Sequence, residues 1–338
     1  MSTKHKSMAA LTCPHCTAPL DPGLGSMTLC PFCSHTIVGV PSFPWDPGPP
    51  PDFPGRPEDA GKPRIALRGV RYVIDGRLGE GDTADVFAGH RDAALTERVV
   101  LKVLAVPEDE PILRREPAVL RRLADGAAPG ASYFAPLCPQ LVAHGTARIE
   151  GGLDDATRRY TVVTRWRSGF SCTLADAKRA FPRGLDPKAA VWMWKRLLEL
   201  LGWVHQTGRV HGAVLPSHIL LHPRDHGAAL VGWSASVPDG EPVAAISVAD
   251  EARYPTSLLA GEPAWPSDDI RMSASTFRSV LSNDLPGPIA ALLDRVEARP
   301  GDDAWALKEQ VGAAAKEAFG PPRYVPFEMP ASFRRRGR

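Results

Sequence analysis

Residues 210–221 read VHGAVLPSHILL, and the reading of this stretch decides the fold. A short β-run leads into His211, a turn carrying Pro216 follows, and Ile219–Leu221 opens a second apolar run. Ala213 stands two positions after the histidine and His218 seven after it, so neither position offers a carboxylate or an amide.

On the N-terminal side, Asp186 and Pro187 open a long helix as cap and first residue, and Gly208 closes it. Val191, Trp194, Leu198, Leu201 and His205 recur at helical spacing, which predicts a buried core helix. On the C-terminal side, His222-Pro-Arg-Asp225-His lies between expected strands at 218–221 and 228–231. Pro223, Asp225 and Gly227 make it a β-turn rather than a reactive loop. Leu230-Val-Gly-Trp-Ser-Ala-Ser236 comes next, then Tyr254-Pro-Thr-Ser257. Pro266-Ser-Asp-Asp269-Ile starts another helix, and Arg299-Pro-Gly-Asp302 caps a last amphipathic one through Trp305, Leu307 and Val311.

Farther upstream, residues 71–78 and 85–90 alternate as two strands of a hairpin joined by GEGDTA. Glycines in such a loop let backbone approach phosphate oxygens closely. A third strand, 97–106, sets Lys102 among aliphatic residues, where an ammonium is costly unless it reaches a partner. The segment REPAVLRRL offers Glu116. Because Pro117 is tolerated at a first helical position, the expected helix starts there with Glu116 at its cap.

Taken in order, these pieces resemble the protein-kinase fold over roughly residues 65–320. Gly79, Gly81 and Val86 match the glycine-loop pattern G-x-G-x-x-G-x-V, with Ala84 replacing the third glycine, and Lys102 matches the family's strand lysine. The resemblance implies Glu116 as the partner of Lys102, Thr164 as gatekeeper after the strand at 159–164, and Arg165–Gly169 as hinge. It also implies that Asp269 braces the catalytic-loop backbone, and it places Ser257 where a glutamate usually stands. At the three working positions the chain departs from the pattern. Ala213 replaces the catalytic aspartate, His218 the metal-binding asparagine, and Gly232 the aspartate of D-F-G.

Phosphoryl transfer depends on positioning and on magnesium bridging the phosphates, and magnesium prefers oxygen ligands. The expectation is therefore a pseudokinase-type regulatory or scaffold protein that works through protein partners. It could hold ATP or ADP weakly through Gly79, Gly81, Val86, Lys102 and Glu116, without dependence on Mg²⁺. The alternative is an active serine/threonine kinase using displaced acids such as Asp82 or Asp85.

A second motif lies near the N-terminus. CPHC at 13–16 and CPFC at 30–33 are separated by thirteen residues. Paired Cys-x-x-Cys turns suit tetrahedral zinc, and the segment resembles a zinc ribbon. Cys13, Cys16, Cys30 and Cys33 complete the shell, so the site would be structural rather than catalytic. The expected layout is α+β: a ribbon at 1–40, a Pro-rich linker at 41–64, and a two-lobed kinase-like domain at 65–320. Within that domain the lobes divide near 167/168, and a basic tail occupies 321–338.

Composition limits the remaining classes. The chain has 338 residues, 43% hydrophobic and 23% charged, with a formal net charge of +2. That balance is globular and gives no general case for nucleic acid. The run Arg334-Arg-Arg-Gly-Arg338 is the local exception, and a ribbon plus this tail would make a nucleic-acid adaptor the least favoured reading. No apolar run is long enough to span a bilayer or to serve as a signal peptide, so the expected location is the cytoplasm.

Overall fold

The computed structural model describes residues 27–29, 36–38, 55–126, 128–151, 158–330 and 333. The chain divides into two compact units, Met1–Pro54 and Gly55–Arg338. In the first, strands β1 (Met27–Leu29) and β2 (Thr36–Val38) pair antiparallel, with Met27 opposite Val38. The four proposed zinc ligands, Cys13, Cys16, Cys30 and Cys33, lie outside the described residues.

The small lobe of the second unit contains β3 (Arg64–Leu67), β4 (Val70–Gly79), β5 (Ala84–Arg91), β6 (Arg98–Leu104), β7 (Leu141–Glu150) and β8 (Arg158–Arg165). They close into a barrel in the order β3-β4-β5-β6-β8-β7. Alternate residues Ile65, Leu67, Tyr72, Ile74, Val99, Leu101, Val103, Ala147 and Ile149 point inward and form its core. Gly89 is required where β4 and β5 press together, since a Cβ there would lie 2.4 Å from the Val73 carbonyl oxygen.

Between β6 and β7 run α1 (Glu110–Leu113), α2 (Arg115–Ala124) and α3 (Ala131–Phe134). Helix α2 starts at Arg115, two residues before the expected Pro117, and Glu116 lies in its first turn instead of at its cap. First-turn N–H groups have no intrahelical acceptor, so a proline at the third position removes no helical hydrogen bond.

The expected linker also ends earlier. Pro57–Asp59 form a 3₁₀ turn and Asp59 is only 1% exposed. Lys62 Nζ bonds the carboxylates of Asp59 (2.8 Å) and Asp75 (2.9 Å), and the two nitrogens of His90 bond the same two acids at 2.9 and 2.8 Å. This quartet fastens residues 57–62 to the β4–β5 hairpin. The Lys62 ammonium offsets one of the two negative charges and His90, when protonated, the other, which makes the cluster an ion-pair network.

The large lobe begins with β9 (Cys172–Thr173) and α4 (Leu174–Ala180), whose first turn Thr173 and Asp176 cap reciprocally. Helix α5 (Pro187–Gln206) follows, with the Asp186 carboxylate accepting from the Lys188 N–H as the Asp-Pro pair predicts. The short strands are β10 (Arg209–Val210), β11 (Ile219–His222), β12 (Gly227–Leu230) and β13 (Val237–Pro238). β12-β11-β9 form one sheet, and β10 pairs with β13. His218 ends a 3₁₀ turn rather than starting β11, and residues 222–227 form the expected turn, with Asp225 exposed.

Four helices finish the lobe: α6 (Thr256–Leu259), α7 (Pro266–Val280), α8 (Gly287–Ala298) and α9 (Ala304–Phe319). The cap of α9 is Asp303, one residue beyond the expected Asp302, because the Asp303 carboxylate reaches the N–H groups of Trp305 and Ala306. Leu197, Leu198, Leu201 and Trp203 of α5 form the centre of the core with Phe277 of α7. The beginning of the expected tail is not free. Tyr324 stacks on His226 at 4.4 Å, and buried Phe327 packs against Phe181 and Trp192. Arg334, Arg335 and Arg336 lie outside the described residues, within which no helix is long and apolar enough to cross a membrane.

Candidate functional site

Three neighbouring strands bring the predicted small-lobe residues together. Gly79 pairs with Val86 across β4–β5, and Val86 pairs with Lys102 across β5–β6. Ala84, in place of the third glycine, is the buried first residue of β5. The loop before it is tight, since a Cβ on Gly81 would lie 2.9 Å from the Ala84 carbonyl oxygen.

Lys102 Nζ forms an ion pair with Glu116 Oε2, the partnership that the resemblance implies. Glu116 is 1% exposed and also accepts from Ser234 Oγ at 3.2 Å. A buried carboxylate between an ammonium and a hydroxyl is satisfied, and it ties α2 to the segment after β12. Ser234 stands two residues after Gly232, and nothing local in the sequence signals this contact.

Below the cleft, Asp269 of α7 is completely buried. Its carboxylate accepts from the N–H groups of His211 (2.7 Å) and Gly212 (2.9 Å) and pairs with His205 Nε2 at 3.0 Å. This is the bracing role expected of it. His211 donates from Nε2 to the Val231 carbonyl at 3.1 Å, which leaves Nδ1 to accept from the Ala213 N–H at 3.3 Å. Its ring meets Trp233 edge-on, with centroids 4.6 Å apart. Burial pushes the imidazole down to about 3, so it is neutral at ordinary pH.

The expected turn places Ala213, His218 and Gly232 side by side. His218 Nδ1 donates to the Ala213 carbonyl at 2.8 Å, and burial also lowers the affinity of this imidazole for a proton. Its ring then lies directly over Gly232. A Cβ on residue 232 would sit 2.7 Å from ring atoms Cδ2, Cε1 and Nε2, closer than side chains tolerate. Gly232 also has φ +82°, in the left-handed region that favours glycine. The imidazole therefore fills the volume into which a side chain at 232 would project. Two of the three departures from the family's pattern thus form a packed contact, and Ala213 adds only a methyl group.

Of the displaced acids considered above, Asp85 is held by Arg77 at 2.5 Å on the outer hairpin. A carboxylate that the sequence did not mark, Asp250, lies near enough to act on His218 electrostatically, but it is paired with Arg253 at 2.7 Å. At the hinge, Thr164 is buried and the Arg98 guanidinium lies 4.4 Å from the Trp166 ring.

No family profile matches the sequence, and no curated protein does. Solved structures do. Vaccinia related kinase 3 superposes with a TM-score of 0.57 at 15% identity, covering 76% of this chain and 90% of that one. The BubR1 kinase domain gives 0.53 at 13%, covering 75% and 83%. Identities this low speak to architecture alone, and the chain has a protein-kinase-like fold.

Proposed function

We propose that this protein is a pseudokinase-type regulatory or scaffold protein, acting in the cytoplasm through protein partners, with an N-terminal ribbon that holds a structural zinc ion through Cys13, Cys16, Cys30 and Cys33. The observation that carries the reading is the His218 ring packed over Gly232. Magnesium needs oxygen ligands at these two positions. An imidazole packed against a glycine offers none, and Ala213 can neither orient nor deprotonate an attacking hydroxyl. Nucleotide binding, where it occurs, uses Gly79, Gly81, Val86 and Lys102. It is weak and independent of magnesium, because positions 213, 218 and 232 offer no side-chain oxygen to hold an ion that would neutralise the phosphates.

The test is a thermal-shift titration of the full chain with ATP, with and without magnesium, beside a radiolabel-transfer assay. The expected result is a shift below about 2 °C that magnesium does not enlarge, with no transfer above background. A magnesium-dependent shift near 5 °C, corresponding to roughly 2–3 kcal/mol of linked binding for a chain of this size, would overturn the reading. So would label transfer abolished by Lys102→Met.

A further inference from the structure

We propose that the back of the small lobe is a binding site for a phosphate group carried on an apolar body, gripped by Arg68 and Arg121 on either side of His144. The proposal stands apart from the cleft and from the function proposed for it.

Three elements converge there. Arg68 sits in the β3–β4 turn, Arg121 on α2 and His144 on β7. Arg121 Nη2 lies 2.6 Å from His144 Nε2, and His144 Nδ1 lies 2.8 Å from Tyr160 Oη. The Arg68 side chain runs beside Gly145, the next residue on β7. A third guanidinium, Arg114, covers the Tyr160 ring at 4.4 Å.

The charges do not balance. Arg114 has Glu110 as its partner, but among the described residues no carboxylate lies within ion-pair distance of Arg68 or Arg121. Arg121 spends a hydrogen bond on an imidazole instead. A guanidinium can only donate, so His144 Nε2 must accept and Nδ1 must carry the proton towards Tyr160. The ring is thus held neutral. Burial and the fields of Arg121, Arg68 and Arg114 hold its proton affinity below that of an ordinary histidine. Unpaired guanidiniums approaching from two elements suit the several oxygens of a phosphate.

A cavity of about 590 Å³ opens at this cluster. Leu120, Pro136, Pro139 and Leu141 supply apolar wall, and among the described residues Asp125 is the one acid on its lining. Such a space is far larger than a phosphate ion and favours a ligand with a hydrophobic part. When the anion arrives, Arg121 can turn to it, and His144 Nε2 can take up a proton and donate to a phosphate oxygen.

Phenyl phosphate is the probe, titrated into the full chain by calorimetry while NMR follows the His144 ring. The expected result is saturable binding that weakens at least tenfold in Arg121→Gln and in Arg68→Asn. The second change suits φ +51°, because asparagine adopts the left-handed region readily. Inorganic phosphate should bind more weakly than phenyl phosphate, and the His144 signals should move to the protonated position. The proposal is overturned if binding does not saturate by about 10 mM, far above the micromolar-to-millimolar range of specific sites. It is also overturned if either arginine variant binds as the parent does while its unfolding curve is unchanged. Equal affinity for inorganic phosphate, or unmoved His144 signals, would refute the apolar-body and proton-linked parts respectively.

Discussion

Replacing Gly232 with aspartate restores the side chain that a kinase uses to hold its metal, and here it should damage the fold instead. The new Cβ would lie 2.7 Å from three atoms of the His218 ring, at a backbone φ of +82°. Overpacking of this kind costs about 1–3 kcal/mol, and the left-handed conformation adds about 1 kcal/mol for a non-glycine residue. Gly232→Asp alone should thus lose roughly 2–4 kcal/mol. In His218→Asn/Gly232→Asp the ring is gone, and an asparagine amide can still donate to the Ala213 carbonyl. The two changes should therefore couple favourably by about 1–2 kcal/mol. Urea unfolding followed by tryptophan fluorescence, run on parent, both singles and the double, measures the coupling directly. The same four proteins in the ATP titration add a functional readout, since a magnesium-dependent shift should appear only in the double variant. Additivity within about 0.5 kcal/mol, with Gly232→Asp as stable as the parent, would show that His218 does not occlude the position.

Asp269→Ala leaves two buried backbone N–H groups and His205 without their acceptor, at about 1–3 kcal/mol per group, so a loss of at least about 3 kcal/mol is expected in urea unfolding. His211 predicts acid lability. Its folded value near 3 lies below the unfolded value of about 6.5, so its contribution is intact above 6.5 and is lost as pH falls, by roughly 2 kcal/mol at pH 5. His211→Phe, which takes no proton, should flatten that slope in a pH series of unfolding midpoints. His90 has the opposite sign. Burial disfavours its charged form, but bonds from both ring nitrogens to Asp75 and Asp59 outweigh this and raise its proton affinity. Its contribution is full below about 6.5 and is lost as pH rises through the higher folded value. Protection of residues 57–62 from hydrogen exchange, taken relative to the intrinsic base-catalysed rate, should therefore fall as pH rises through that value, and His90→Gln should remove this fall.

The parts of this fold legible in the sequence are those written in local chemistry. Asp186-Pro187 announces α5 because a cap and a fixed φ act within one turn. Lys102 announces a partner because an ammonium among aliphatics demands one. Strands β3 and β7 were not anticipated. The first follows a Pro-rich run that reads as linker, and the second alternates weakly, with His144, Gly145 and Thr146 at its centre. Both are held by pairing with each other and with β4 and β8, which no local pattern reports. The same applies to the site. Ala213, His218 and Gly232 could be identified as departures from a pattern, but not as a packed group. The contact between the last two depends on a left-handed residue and a rotamer fourteen positions away. Arg68, Arg121 and His144 come from three separate elements, so no spacing in the chain marks them.

The residues that match the kinase pattern divide from those that depart from it along a physical line. Lys102 and Glu116 neutralise each other in a buried setting, and removing either leaves an uncompensated charge. Asp269 satisfies two buried main-chain donors, and His211 fills the space beside Trp233. Each of these would be needed for folding even if no phosphate were ever transferred. An acid at 213 or 232, or an amide at 218, would have no such duty, because its partners are a metal ion and a substrate rather than the protein. It follows that the ion pair with Glu116 is by itself a sufficient physical reason for Lys102, so the presence of the lysine does not on its own argue for nucleotide. A nucleotide must displace or share an ammonium that Glu116 already holds. Lys102→Met should accordingly destabilise the protein in the absence of any ligand, by the cost of stranding Glu116. If instead it left unfolding unchanged and removed only an ATP-induced shift, the lysine would be a ligand-binding group, and the structural explanation of its presence would fail.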